Sequence, residues 1–371
     1  MEMNDFLADL TSAVGYSAKL DPYNNTVYMS FADKAYPPLA YTILFPLSLL
    51  FDVDKYYKIG DFLLVYKEPA FMIVVSILLC AFFAIAFILI RRTKVGDSLL
   101  RTCTACVLLV SFPVLYTVER GNLILLAALL SYFFVGYYDS DNKVLKELSL
   151  ISLAFAAGLK LSPALFGVIL LINKKWKDSI RTVCYGLIAF FLPFFVFSGT
   201  FFSNIACFLR NIRLLTEKYA NELENSCALR GMLNNISLSL GGNELPSVST
   251  TILKVIFLVL LVACVLLSKR KWEQIWALSL ILITIPVYSG LYSLLYLLPA
   301  VVLFLNEEKH GRTDLILLVS LLFAFNPFRF GILSMFYQIG LLIMLLWFGA
   351  RGIRLIVSTI SSAPKTVGVA K

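Results

Sequence analysis

The sequence contains very little histidine and few charged residues. Only one of its 371 residues is a histidine, His310, and only 15% are Asp, Glu, Lys or Arg, against about 25% in soluble domains. A single histidine excludes metal sites built from several histidines and most histidine-based acid–base schemes. We therefore expect any chemistry to use carboxylates and cations, with no metal and no cofactor.

Polar stretches long enough to form a separate soluble domain are also missing. The chain is 60% hydrophobic and has a mean hydropathy of +0.85, which indicates an integral membrane protein. A membrane span needs about 20 apolar residues, so the length allows on the order of ten spans. We predict an all-α, polytopic transmembrane helical bundle of about ten to eleven membrane helices, with interfacial helices on its outer face.

The excess of basic residues and the cysteines say little about function. Lys and Arg number 32 against 23 Asp and Glu, and in a membrane protein this excess is first a signal of orientation. We therefore expect no nucleic-acid partner. Most of the seven cysteines lie in apolar runs, where a thiol is usually a small hydrophobic group. Cys207 and Cys227 lie in one predicted outer loop, where a disulfide and two free thiols are both open.

Long apolar runs give the candidate spans, and basic clusters give their orientation. The runs cover residues 70–90, 99–118, 123–138, 182–198, 249–267, 275–288, 291–305, 315–324 and 332–350. Basic clusters occur around residues 91–101, 174–181, 269–271, 309–312 and 351–354, and the positive-inside rule places them in the cytoplasm. The outer face then receives residues 1–69, with an interfacial helix over 37–51, and a long loop over 199–248. Membrane helices fill 70–198 and 249–371, and the second group ends in a cytoplasmic tail.

The segment around Lys160 has two possible arrangements. It begins and ends with basic residues that belong in the cytoplasm, yet residues 147–172 are its only apolar sequence. A hairpin of two helices of about 13 residues, each about 20 Å long, would place Lys160, Ser162 and Pro163 at its outer apex. The alternative is a single tilted span with a snorkelling Lys160. A single span would put the basic residues at its two ends on opposite sides of the membrane, against the positive-inside rule.

Ionisable groups at the edge of the hydrocarbon are costly and therefore indicate function. Four stretches carry them. The first is acidic and aromatic and runs from Asn4 to Leu39. The second, at 116–122, contains the charged turn at 119–122. The third surrounds Lys160 at 158–163, and the fourth runs from 224 to 235. Apolar runs leave the charged turn almost no loop, which favours a functional role over a solvated ion pair. An ordinary exposed loop remains equally open for the fourth stretch.

These stretches, in this order, resemble the GT-C superfamily of polytopic glycosyltransferases, specifically its polyprenyl-phosphate-mannose-dependent glycosyltransferase family 87, also called DUF2029. The resemblance is carried by DF at 5–6, DPY at 21–23, YPPL at 36–39, ERGN at 119–122 and LKLSP at 159–163. It covers roughly the first half of the chain. It implies a polyprenyl-phosphate sugar as donor, inverting transfer of a mannose-like hexose without a nucleotide sugar, and a cavity that faces outward.

The resemblance also implies partners and a location. These are the lipid bilayer, the polyprenyl-phosphate sugar and a lipid-linked or cell-envelope glycan acceptor, in the plasma membrane of a bacterium, with the active site facing outside. Members of this family look to have a membrane span before the acidic segment. None precedes Asp5, so we expect the chain to lack that first span.

The resemblance assigns roles to particular residues. Asp5 would be the general base, and Asp9, one helical turn further on, is the alternative. Lys160 and Arg120 are the candidates for the donor phosphate, and Arg230 is a third. Glu119 would orient Arg120 or bind sugar hydroxyls, and Asn122 would bind sugar or cap the next helix. The remaining candidates for sugar or acceptor binding are Tyr23, Tyr36 and Asn225.

Two other classes of protein compete with this interpretation. A secondary transporter would have charges in mid-membrane and an internal repeat, whereas no repeat is visible and the charges lie at the outer edge. A lipid-linked polysaccharide polymerase or ligase would concentrate charges in large outer loops. Arg210, Arg213 and Arg230 fit that class, but YPPL and ERGN do not.

Overall fold

The protein is all-helical. The structure, a computed structural model, describes residues 6–24, 33–59, 62–219, 226–326 and 335–362. It is 80% helix, and within the described ranges the only strand-like pairing is an isolated bridge between Ser226 and Gly290. The predicted all-α class is therefore confirmed. Two of the predicted site residues, Asp5 and Asn225, lie outside the described residues.

The α-helices are numbered in chain order. They are α1 (Ala8–Ser17), α2 (Pro38–Ser48), α3 (Val53–Ile59), α4 (Pro69–Thr93), α5 (Ser98–Leu109), α6 (Phe112–Arg120), α7 (Ile124–Tyr137), α8 (Lys143–Leu159), α9 (Val168–Ile172), α10 (Trp176–Phe191), α11 (Phe201–Tyr219), α12 (Leu229–Ser239), α13 (Ser247–Leu267), α14 (Lys271–Thr284), α15 (Leu298–Leu305), α16 (Leu315–Ala324) and α17 (Phe336–Ser362). Short 3₁₀ turns join several of them, including Ser162–Gly167 before α9 and Leu291–Leu297 before α15.

Fewer helices than predicted are long enough to cross a membrane. Among the described residues four qualify by length and composition: α4, α10 with its 3₁₀ extension (Trp176–Phe195), α13 and α17. The pair α5 and α6 adds a fifth if it is one broken span. The other apolar helices are at most 15 residues long, for example Leu291–Leu305, or about 22 Å at 1.5 Å per residue, against a hydrocarbon core of about 30 Å. The predicted ten to eleven spans are thus not confirmed.

The predicted span over 99–118 is broken in the middle. Helices α5 and α6 meet at a 46° bend, with Ser111 and Pro113 at the break. Proline has no N–H to donate to the carbonyl of Leu109, so the helix cannot continue through it, and Pro113 instead starts the next helix. Helix α6 then ends with Glu119 and Arg120 in its last turn.

Helix α14 forms the centre of the bundle. Of its 14 residues 12 are buried, and Trp272 and Trp276 pack against Phe304 at ring-centroid distances of 4.9 and 5.6 Å. Helix α4, in contrast, exposes large apolar side chains such as Ile73 and Ile77, which is what a lipid-facing surface requires.

Two short helices flank Lys160. Helix α8 ends at Leu159, Lys160 is extended, and the 3₁₀ segment Ser162–Gly167 packs back against α8 before α9 begins. A Cβ atom added to Gly167 would lie 3.5 Å from Leu153 Cδ2, so the two arms are in van der Waals contact. Helices this short can lie at membrane depth only where other protein surrounds them.

Candidate active site

The start of α1 is fastened to the turn that follows α6. Gly121 ends α6 in the left-handed conformation (φ 64°), and a Cβ atom there would come within 2.7 Å of Leu10 Cβ. The backbone N–H of Leu7 donates to the carbonyl of Glu119 at 2.6 Å, and Leu7 itself has φ 55°. The left-handed conformation costs a residue with a side chain about 1–2 kcal/mol, so the surrounding contacts must hold Leu7 in place.

This contact brings a carboxylate to a guanidinium and an amide. Asp9 Oδ1 accepts a hydrogen bond from Arg120 Nη2 at 2.8 Å, and Asp9 Oδ2 accepts one from Asn122 Nδ2 at 2.7 Å. Asn122 is buried, and its Oδ1 accepts from the backbone N–H of Ile124 at 3.0 Å, at the start of α7. The side chains of Asp9 and Arg120 keep 20% and 29% of their exposure, so both remain accessible.

Lys160 lies beside this ion pair, between two tyrosine rings. Its Nζ is 4.6 Å from the ring centroid of Tyr292 and 5.4 Å from that of Tyr36. Asp9 interacts electrostatically with Lys160 and with both rings. Lys160 lies outside the candidate spans; burial lowers its pKa to about 8, while the charge of Asp9 opposes this shift. Within the described ranges Lys160 makes no ion pair at hydrogen-bonding distance, which leaves its charge available to an anion.

Close packing between α2 and α8 sets the position of Tyr36. A Cβ atom on Gly158 would come within 2.6 Å of Leu39 Cδ2, so the absence of a side chain there lets the YPPL segment approach the end of α8. The hydroxyl of Tyr23 donates to the carbonyl of Tyr36 at 2.9 Å. Tyr23 itself is fully buried, in contact with the rings of Tyr41 and Phe208. Tyr23 therefore positions Tyr36 and offers no face to a sugar in this conformation.

The remaining predicted site residues are placed differently from the expected cluster. The carboxylate of Glu119 forms no ion pair with Arg120 in the described part of the chain, where Asp9 takes that place. Arg230, at the start of α12, interacts electrostatically with Lys254 of α13. Cys207 Sγ donates to Asn24 Oδ1 at 2.8 Å, and no disulfide forms among the described cysteines.

Sequence reasoning missed Tyr292. The residue lies at the start of the apolar run over 291–305, and its ring supplies the nearer of the two contacts to Lys160. A tyrosine beside a turn on the same face as the charged motifs was the available signal. In the described residues no group of three or more His, Cys, Asp or Glu side chains is placed to hold a metal ion.

The fold and the site together define a helical integral membrane protein with a carboxylate and two cations gathered at one end of its bundle. A sequence model of glycosyltransferase family 87 matches residues 35–290, which is more than half of the chain. The protein therefore belongs to glycosyltransferase family 87. The match includes Arg120, Asn122 and Lys160, whereas Asp9 precedes it. Neither the curated proteins nor the solved structures include a match to the chain.

Proposed function

We propose that this glycosyltransferase moves a mannose-like hexose from a polyprenyl-phosphate sugar to a lipid-linked or cell-envelope glycan, with inversion at the anomeric carbon. The observation that carries the proposal is the contact of Asp9 with Arg120 beside the ammonium group of Lys160. A base and a phosphate site must lie within reach of the same sugar, and these three residues supply both. No cofactor and no metal enter the reaction.

The chemistry requires few groups. The acceptor hydroxyl oxygen attacks the anomeric carbon, its proton passes to a carboxylate, and the bond from carbon to the phosphate oxygen breaks with its electron pair on the oxygen. Polyprenyl phosphate leaves with one more negative charge than it had as the sugar ester. Arg120 and Lys160 stabilise that charge as it develops. The sugar's hydroxyls have Asn122 and Glu119 nearby as hydrogen-bonding partners.

We assign the base to Asp9, with Asp5 as the alternative. Asp9 accepts one hydrogen bond on each oxygen, and a carboxylate has about four lone-pair sites, so it keeps the capacity to accept the proton of an acceptor hydroxyl. Arg120 and Asn122 fix its orientation. Arg120 thus contacts the base and stands beside the leaving phosphate at once.

The membrane context supports a lipid donor. A polyprenyl chain dissolves in the bilayer and carries its phosphate at the interface. The partly exposed Lys160, with one apolar arm of the hairpin on either side of it, is suited to bind that phosphate. We place the site on the outer face of the plasma membrane of a bacterium, as the positive-inside rule indicates.

The proposal is tested by turnover of a polyprenyl-phosphate hexose, with a membrane extract as the source of acceptor. Asp9→Asn keeps the shape of the side chain and removes the base, so release of polyprenyl phosphate should fall about 10²-fold or more while donor binding persists. Arg120→Gln should weaken donor binding as well as turnover. Asp54→Asn is the matched control, because Asp54 is exposed and pairs with Lys19 away from the site.

Three results would contradict parts of this proposal. Full activity of Asp9→Asn together with loss of activity in Asp5→Asn would show that Asp5 is the general base. Turnover of nucleotide sugars would refute the lipid donor. Transport of a chemically unchanged solute, driven by an ion gradient, would show that the protein is a transporter and not an enzyme.

A further inference from the structure

A polar cavity lies at the end of the bundle opposite to Asp9, Arg120 and Lys160. Helix α14 begins beside it, with Glu273 in its first turn, and is about 21 Å long. The helix ends at Thr284. Gly290, which forms the bridge with Ser226, follows shortly after and lies two residues before Tyr292. The cavity has a volume of about 430 Å³ and lies among the starts of α14 and α16 and the middle of α17. None of the residues assigned to sugar transfer lines it.

The charged lining of this cavity is more basic than acidic. Arg270, Arg351 and Arg354 face Glu273 and Asp314, which leaves one positive charge in excess. The carboxylates are already satisfied from within the protein. Glu273 Oε2 accepts from Ser268 Oγ at 2.5 Å and from Arg351 Nε at 3.1 Å. Asp314 Oδ2 accepts from the backbone N–H of Gly311 at 2.8 Å.

Two of the arginines have capacity for a further anion. Arg270 Nη1 stands 3.7 Å from Glu273 Oε1 and 3.6 Å from Asp314 Oδ2, which is longer than a charged hydrogen bond of about 2.7–2.9 Å. Arg354 is exposed and forms no ion pair within the described ranges. A guanidinium group with unused donors is suited to a phosphate group, which it can bind through two parallel hydrogen bonds.

The other wall of the cavity is apolar and faces the lipid. Ile316, Ile343 and Leu346 line it, and Ile316 and Leu346 are 44% and 56% exposed on the surface of the bundle. Trp347 stands between the polar and apolar parts, with its Nε1 donating to the carbonyl of Thr313 at 3.0 Å. Trp347 is half-buried, and a tryptophan with an apolar ring and a satisfied N–H is typical of the level of the lipid headgroups.

We propose that this cavity binds an anionic glycerophospholipid, with its headgroup phosphate between Arg270 and Arg354 and an acyl chain along Ile316 and Leu346. The single excess positive charge matches the single charge of a phosphodiester such as that of phosphatidylglycerol. The division into a polar and an apolar wall matches an amphipathic ligand. Basic pockets between membrane helices on the cytoplasmic side are suited to such headgroups, and the cytoplasm is where the basic clusters place this end.

Calorimetric titration of the purified protein in detergent tests the site. Dioctanoyl phosphatidylglycerol should bind, dioctanoyl phosphatidylcholine and inorganic phosphate should bind at least tenfold more weakly, and Arg354→Gln should weaken phosphatidylglycerol about tenfold, as expected for loss of one charged hydrogen bond. Arg92→Gln is the matched control, because Arg92 is an exposed arginine at the end of α4. Leu346→Trp fills the space along the apolar wall and should weaken the binding of phosphatidylglycerol.

The outcomes separate the sources of phosphate. Equal affinity for inorganic phosphate and phosphatidylglycerol would show a site for the free ion and overturn the lipid proposal. Unchanged phosphatidylglycerol affinity in Arg354→Gln, or an equal loss of affinity in Arg92→Gln, would also overturn the proposal. Either result would mean that the lipid binds to the surface charge as a whole. Equal affinity for phosphatidylcholine would show that the negative charge is not recognised.

Discussion

At the scale of single residues, the contact between Asp9 and Arg120 contributes little to folding. Both side chains are partly exposed, and ion pairs of that kind contribute about 0–1 kcal/mol to the free energy of unfolding. The buried partner is Asn122, which joins Asp9 to the start of α7 through two hydrogen bonds. Asn122 therefore sets the direction in which the carboxylate of Asp9 points.

From the pKa of Lys160 we expect donor binding to depend on pH. Burial lowers this pKa to about 8, so the ammonium group is charged below that pH and neutral above it. We expect the dissociation constant of a polyprenyl-phosphate sugar to rise as the pH passes through about 8. Equilibrium binding between pH 6 and pH 10 measures this directly.

Two variants separate Lys160 from other titrating groups. Lys160→Arg stays charged over the whole range because arginine has a pKa above 12, and it should remove the rise near pH 8. Lys67→Met removes an exposed lysine beside Tyr66 and should leave the profile intact. A rise that persists in Lys160→Arg would assign the titration to another group.

At the scale of elements, the site depends on one close contact between α1 and the turn after α6. Gly121 allows it in two ways, through its left-handed φ and through the absence of a Cβ that would meet Leu10. We expect Gly121→Ala to push the turn away from α1 and break the contact of Arg120 with Asp9. Turnover should then fall at least tenfold, because a shift of 1 Å at a reacting group costs this much or more.

Gly241→Ala provides the matched control for that change. Gly241 also has a positive φ (79°), but no atom lies within 4 Å of the position of its Cβ. Both variants carry the same backbone strain, about 1–2 kcal/mol, and both should unfold at lower temperature. Only Gly121→Ala should lose turnover, and equal activity of the two variants would show that the contact with Leu10 is not required.

The broken and short helices surround the site. The break at Pro113 sets the direction of α6. Lys160 lies where α8 ends and the chain turns back. Straight spans would carry their side chains past the interface, whereas interrupted ones place charged residues at a defined depth with other protein around them. The same interruptions lower the number of helices that qualify as full spans.

At the scale of the whole molecule, polar sites occupy both ends of the bundle. One end carries Asp9, Arg120 and Lys160, and the other carries the cavity with Arg270, Glu273 and Arg351. The positive-inside rule predicts that the first end faces outward and the second faces the cytoplasm.

Labelling with a membrane-impermeant maleimide in intact cells tests this orientation. In a Cys207→Ser background, Asn243→Cys should react from outside, and His310→Cys should react only after the membrane is opened. Both positions are exposed in the structure, so accessibility within the protein does not decide the result. Reaction of both from outside would overturn the predicted orientation.

The sequence alone determined the membrane class, the all-α fold and the family. Each of these depends on composition and on short motifs such as ERGN and YPPL, which are local in the chain and are read without knowing what they contact. The predicted number of spans is not confirmed, because hydropathy registers an apolar run over 99–118 without registering how Pro113 bends it.

Only the tertiary structure decided which residues meet. Asp9 and Arg120 are 111 positions apart, and their contact follows from the packing of Gly121 on Leu10 and of Leu7 on Glu119. The ring of Tyr292 reaches Lys160 from still further along the chain, and Tyr23 is removed from the site by burial among aromatic rings. Such contacts depend on the absence of a side chain at one position and on the approach of distant helices. No local pattern encodes either, because a motif fixes its own conformation and not the surface that packs against it.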